Sequence, residues 1–186
     1  MRPAERGEAP DERASISLYF AHVVAEKLRP LVGRGARVLD FGDRGGRVAL
    51  HLEAAGLTVV RLCEAEDGVD RGHPFGGAYA EVHDWPAVRS ETLGLGERLE
   101  VGAPVLVRLE RRAAQSAAVV ARDVGPDFLW TSAASLGLLV PPEEQSFRAE
   151  RHPYAFAALC ALEGLVRAWP GFRLAGREAL LLGVRR

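Results

Sequence analysis

Two short stretches concentrate the side chains that could do chemistry. Residues 40–46 read Asp40, Phe41, Gly42, Asp43, Arg44, Gly45, Gly46. An acid at the end of an apolar run, followed by a glycine-rich turn that opens a helix, brings free backbone N–H groups close to a ligand with little side-chain bulk in the way. Residues 82–86 read Val82, His83, Asp84, Trp85, Pro86. An imidazole titrates near neutral pH, so His83 is the side chain best suited to take a proton from an acceptor hydroxyl. The plainer reading is that His83 and Asp84 cap a strand and a turn at the surface. A third candidate, Glu64, lies 18 residues beyond Gly46, near the expected end of the next apolar run. The five histidines, at 22, 51, 73, 83 and 152, show no H-x-x-x-H spacing, so no metal site is expected.

The elements that must position these groups follow from periodicity. Ser15 or Ser17 can cap a helix whose apolar residues Ile16, Phe20, Val23, Val24 and Leu28 recur at helical spacing, with Pro30 near its end. Residues 38–41 form a short apolar strand, 47–55 a helix closed by Gly56, and 57–63 a second strand. Strand and helix alternating at this interval predict parallel strands joined by right-handed crossovers. Further strands are expected at 78–83 and 104–109, a modest helix at 89–98 and a longer one at 154–169. Residues 111–150 give no single reading. Phe156, Leu159, Cys160, Leu162 and Val166 are expected in the core, and Trp130, Trp169 and Phe128 either in the core or on an apolar surface. At the C-terminus, 172–174 and 179–184 flank a turn at Gly176 and are expected to pair antiparallel.

The 186 residues suit one domain, with 1–14 as a disordered leader and 15–186 as the folded unit. A formal charge of −1 with scattered basic residues argues against nucleic acid or an acidic membrane as partner. Lys27 is the only lysine and asparagine is absent, which fits a coding bias toward GC. Cys63 and Cys160 sit in apolar surroundings and are expected as free thiols in a cytoplasmic protein. No apolar run approaches a membrane span, and the first residues lack the apolar core of a signal peptide.

Spacing narrows the ligand. Counted from Gly42, the dinucleotide pattern G-x-G-x-x-G meets Arg44 and Arg47 where glycines are required, and no Gly-Lys-Ser/Thr of a phosphate-binding loop occurs. Residues 38–46 instead resemble the first motif of class I S-adenosylmethionine-dependent methyltransferases, a strand ending Asp-x-Gly-x-Gly-x-Gly. Asp40, Gly42 and Gly46 match, and Arg44 replaces the middle glycine. The resemblance implies a Rossmann-like α/β three-layer sandwich, a mostly parallel sheet with a C-terminal antiparallel hairpin. It further implies that S-adenosylmethionine lies against Asp40, Gly42, Asp43, Arg44, Gly45, Gly46 and Glu64, and that 82–86 resemble the His-Asp-Trp motif of small-molecule O-methyltransferases. On that reading His83 is the catalytic base, and Asp84 and Trp85 line the cofactor. The interval between the second strand and Ala78 is short for the family's usual helix and third strand. Arg44 supports opposite expectations: its guanidinium can pair with the cofactor's carboxylate, or its bulk can fill the cofactor's place. The first makes the protein a methyltransferase acting on a small molecule. The second makes it an inactive relative that binds a protein partner.

Overall fold

The computed structural model describes residues 14–41, 46–61, 74–82, 95–110, 127–142, 145–167, 169, 172 and 175–186. Their elements are α1 (Ala14–Leu28), β1 (Arg37–Phe41), α2 (Arg47–Ala54), β2 (Thr58–Arg61), β3 (Gly77–Val82), α3 (Leu95–Arg98), β4 (Pro104–Glu110), β5 (Phe128–Leu136), α4 (Ser146–Arg151), α5 (Pro153–Val166) and β6 (Glu178–Arg185).

The strands form one six-stranded sheet in the order β2-β1-β3-β4-β6-β5. The pairs β1–β2, β1–β3 and β3–β4 are parallel, whereas β6 runs antiparallel to both β4 and β5. Five strands therefore point one way and only β6 is reversed. The parallel strands are short apolar runs because both faces are covered. On one face Val38, Tyr79, Leu106, Leu180 and Leu136 pack under α1, α2 and α4, with Ile16, Phe20, Val24, Leu52 and Ala149 as the helical partners. On the other face Leu39, Ala78, Val105, Val107 and Leu181 pack with Phe75, Leu99 and Phe128. The expected three-layer α/β sandwich is the observed architecture.

Three expectations change in detail. The antiparallel closure exists, with β5 as the partner of β6 on the outer side; residues 173 and 174 of the expected strand lie outside the described residues. Between β5 and β6 the chain makes the excursion through α4 and α5, so the two strands are not a tight hairpin. Ser135 of β5 accepts a hydrogen bond from the Gly176 N–H at 3.1 Å and donates one to the Phe172 carbonyl, which ties both residues to β5. Second, the stretch left open at 111–150 contains a nine-residue strand, Phe128–Leu136. Third, Leu162 is half-exposed instead of buried. Phe128 is buried, Trp130 packs partly against the core, and Trp169 is largely exposed.

Helix α5 rests on α1. The Tyr19 hydroxyl donates to the Cys160 carbonyl at 3.3 Å, and the Tyr19 and Phe156 rings meet edge-on at 6.3 Å. Cys160 is a free thiol; Cys63 lies outside the described residues. Burial, then the Glu163 carboxylate, pushes the Cys160 thiol up from 9.0 to about 11, and burial does the same to Tyr19, up to about 12. Both groups keep their protons above the pH at which the unfolded chain releases them, so native stability declines as pH rises beyond about 9. A sharper expectation concerns reactivity. Because the thiolate is the nucleophile, iodoacetamide at pH 8 should label Cys160 at least about 100-fold more slowly in the native protein than in urea. Mass mapping of the Cys160 peptide reads this directly, and native labelling within tenfold of the unfolded rate would contradict it.

Candidate functional site

In parallel α/β sheets ligands bind beyond the carboxyl ends of the strands, where the strand order changes direction. Here β1 is that strand: the chain leaves it toward β2 on one side and returns to β3 on the other. The segments that follow β1 and β3 directly are 42–46 and 83–85, the two stretches singled out in the sequence. The strands that precede these two stretches, β1 and β3, are parallel neighbours and end side by side at the switch point.

Gly46 is the described part of the turn. It is the N-cap of α2, with φ 62° and ψ 15°, a left-handed conformation that glycine adopts without strain. Its carbonyl accepts from Leu50 N–H at 3.0 Å, starting the helix. The Arg61 guanidinium lies close above it: a Cβ placed there would meet Nη2 at 2.0 Å, so a side chain would have to displace the arginine. Arg61, the last residue of β2, donates from Nη2 to the Gly46 carbonyl at 3.5 Å. The end of β2 is therefore laced to the first turn of α2 by an arginine, three residues before Glu64.

Asp40 stands at the carboxyl end of β1, level with Arg61 on β2 and Tyr79 on β3. Its side chain points to the face covered by α1 and α2 and is closed off from solvent, at 2% exposure. Gly42, Asp43, Arg44, Gly45, Glu64, His83, Asp84 and Trp85 lie outside the described residues.

The structure adds a polar network that the sequence did not single out. Arg108 on β4 bonds Glu178 of β6 through Nε and, at 2.8 Å, through Nη2, and pairs with Glu81 of β3 at 2.9 Å. Tyr79 donates to the other oxygen of Glu81 at 3.4 Å. The guanidinium also lies 5.2 Å from the centre of the Phe20 ring on α1. Burial alone would weaken the arginine's hold on its proton, but the two carboxylates more than offset this and hold it charged well above its usual range. The network lies toward the carboxyl ends of β3 and β4 and the start of β6, and Glu81 sits two residues before His83 in sequence. In the sequence these charges stand in otherwise apolar strands, with nothing local to pair them.

A second overlooked residue is Glu163. Fully buried, its carboxylate accepts the N–H groups of Gly137, Leu139 and Val140, each at 2.9 Å. Gly137, at φ 64°, turns the chain so that these donors converge after the carboxyl end of β5. The sequence does carry a clue, since Glu163 is the lone charge in α5.

This sheet order, the glycine junction at its switch point and the reversed strand β6 define the fold of class I S-adenosylmethionine-dependent methyltransferases. Solved structures agree. The chain is similar to the CcbJ methyltransferase from Streptomyces caelestis, with TM-score 0.59, 11% identity, and coverage of 96% of this chain and 100% of that one. It is also similar to coclaurine N-methyltransferase bound to N-methylheliamine and S-adenosylhomocysteine, with TM-score 0.56, 11% identity, and coverage of 98% and 76%. A third likeness is the ribosomal protein L11 methylase from Lactobacillus delbrueckii subsp. bulgaricus, with TM-score 0.53, 12% identity, and coverage of 89% and 76%. No protein-family profile matches the sequence, and no curated protein sequence does. Among the described residues no helix is long and apolar enough to cross a membrane, and no three acidic, histidine or cysteine side chains gather as a metal site.

Proposed function

We propose that this protein binds S-adenosylmethionine at the carboxyl ends of β1 and β2 and transfers its methyl group to a small-molecule acceptor. One observation carries the reading: the left-handed glycine that opens α2 stands at the switch point of a methyltransferase fold. The residues fit such a ligand. Gly46 begins α2 without a side chain, and the N-terminal end of a helix favours a carboxylate. The 40–46 turn would hold the methionine portion and Glu64 the ribose hydroxyls, with Asp84 and Trp85 alongside. When bound, the cofactor supplies an electrophilic methyl on a sulfonium. The chain's own contribution is to align the acceptor and, through the His83 imidazole, to take the proton from its hydroxyl.

A second reading is favoured by the arginines. Arg61 already rests on Gly46, and Arg44 stands where the motif has its middle glycine. On this reading the cradle is filled from within, and the fold serves as a non-catalytic binding partner. Thermal melting with increasing S-adenosylmethionine or S-adenosylhomocysteine separates the two, because a ligand specific to the native state raises its Tm. The enzyme reading expects a Tm that climbs with ligand concentration, and no shift at millimolar ligand would overturn it. Arg44→Gly then tells whether the guanidinium holds or hinders the ligand, with weaker binding marking a clamp. His83→Ala should retain binding and lose transfer.

A further inference from the structure

Helix α5 carries its polarity the wrong way round for a solvent-facing helix. Its lone charge, Glu163, points into the core, while its outer face presents Tyr154, Ala157, Ala158, Ala161, Leu162 and Leu165. These residues follow the i, i+3, i+4, i+7, i+8, i+11 spacing of one continuous stripe. Tyr154 is 92% exposed, Leu165 68% and Leu162 50%. Just past the helix end Trp169 remains 57% exposed. Apart from the tyrosine hydroxyl, the stripe offers no charged or hydrogen-bonding side chain to water or to a polar partner. An uninterrupted apolar face of this kind marks an interaction surface.

We propose that a second copy of this chain covers it, with α5 packed antiparallel against its own mate across a two-fold axis. The stripe is self-complementary in that arrangement. An axis passing between Leu159 and Cys160 sets Ala158 opposite Ala161 of the second copy, Ala157 opposite its Leu162, and Tyr154 opposite its Leu165. Small residues at the crossing let the helix axes approach to about 8 Å, and the bulky residues at either end fill the flanks. A closed two-fold contact sets the patch against itself, so a charge near the axis would meet its like; this stripe carries none. The area also suits a dimer. With aromatic side chains burying about 150–250 Å² each, the exposed parts of Tyr154, Leu162, Leu165, Trp169 and the alanines come to roughly 700 Å² per subunit, near the ~800 Å² of a standard interface. A lipid surface suits it less well. Helices that lie in the membrane interface flank their apolar face with lysine and arginine, and α5 contains neither.

The test is the mass of the full chain by sedimentation equilibrium. The wild type is expected to dimerise reversibly, and Ala158→Glu and Ala161→Arg are each expected to weaken the dimer by at least about tenfold. Both positions face solvent in the single chain, so neither change should lower the monomer's Tm. Mixing the two variants sets opposite charges face to face and should restore a heterodimer. A wild type that stays monomeric at hundreds of micromolar overturns the proposal. So does a dimer indifferent to both substitutions, and so does a monomer that floats with neutral lipid vesicles through the same stripe.

Discussion

Glu163→Ala is expected to be the most damaging single substitution in the protein. It strands three backbone N–H groups: those of Gly137 and Val140 are buried and that of Leu139 is partly buried. Each buried donor left without a partner costs about 1–3 kcal/mol, and bonds to a charged acceptor lie at the upper end of that range. Allowing for some water entry, the loss should be about 3–5 kcal/mol, a large share of the 5–15 kcal/mol that keeps a domain folded. Glu163→Gln gives an internal control. Its single carbonyl oxygen can serve Leu139 and Val140, but its amide opposes the Gly137 N–H, so the cost should be about 1–3 kcal/mol. Urea denaturation at pH 7 measures both. Equal losses for the two variants would mean that packing, not the carboxylate, holds the 137–140 turn.

Arg108→Met is the second. The arginine is sandwiched between Glu81 and Glu178, and both carboxylates are nearly covered, at 12% and 15% side-chain exposure. Removing the cation leaves two buried anions facing each other, and breaking a buried pair in this way costs about 3–5 kcal/mol. The pH dependence distinguishes this cause from lost packing. In the variant, burial and mutual repulsion favour the protonated carboxyls and raise their folded-state pKa above the unfolded value. Stability is then retained at low pH and lost as pH rises through the raised pKa, so the deficit against wild type should shrink from pH 7 toward pH 4. A deficit that is flat across this range would point to packing against Phe20 instead. Converting both glutamates to glutamine in the Arg108→Met background should recover part of the loss even at pH 7.

The parts of the fold that could be read from the chain are those whose signals are local. The unit β1–α2–β2 announces itself through an apolar run, a glycine turn and Gly56, which lies at φ 84° just past the helix. What escaped depends on distant partners. Strand β5 hides because its outer half is exposed, its inner half is buried on both faces, and a bulge between Trp130 and Ser132 breaks the two-residue period. Its alanines and serines favour no strand by themselves. Arg108 and Glu178 are 70 residues apart in sequence, so their pairing has no local mark. In α5 periodicity alone marks two apolar faces, and only the buried acid tells which one looks inward. Of the candidate site, Asp40 lies near the carboxyl end of β1 and Gly46 caps α2.

On the proposed function, a methyl-donor cofactor binds against the turn that opens α2. Amide hydrogen exchange with and without S-adenosylhomocysteine tests it most directly, because it reports both binding and place. The expected result is slowed exchange confined to residues 40–48, 61–66 and 82–86, the segments that follow β1, β2 and β3. Unchanged exchange throughout the chain at millimolar ligand, or protection only elsewhere, would rule out a cofactor site at this turn.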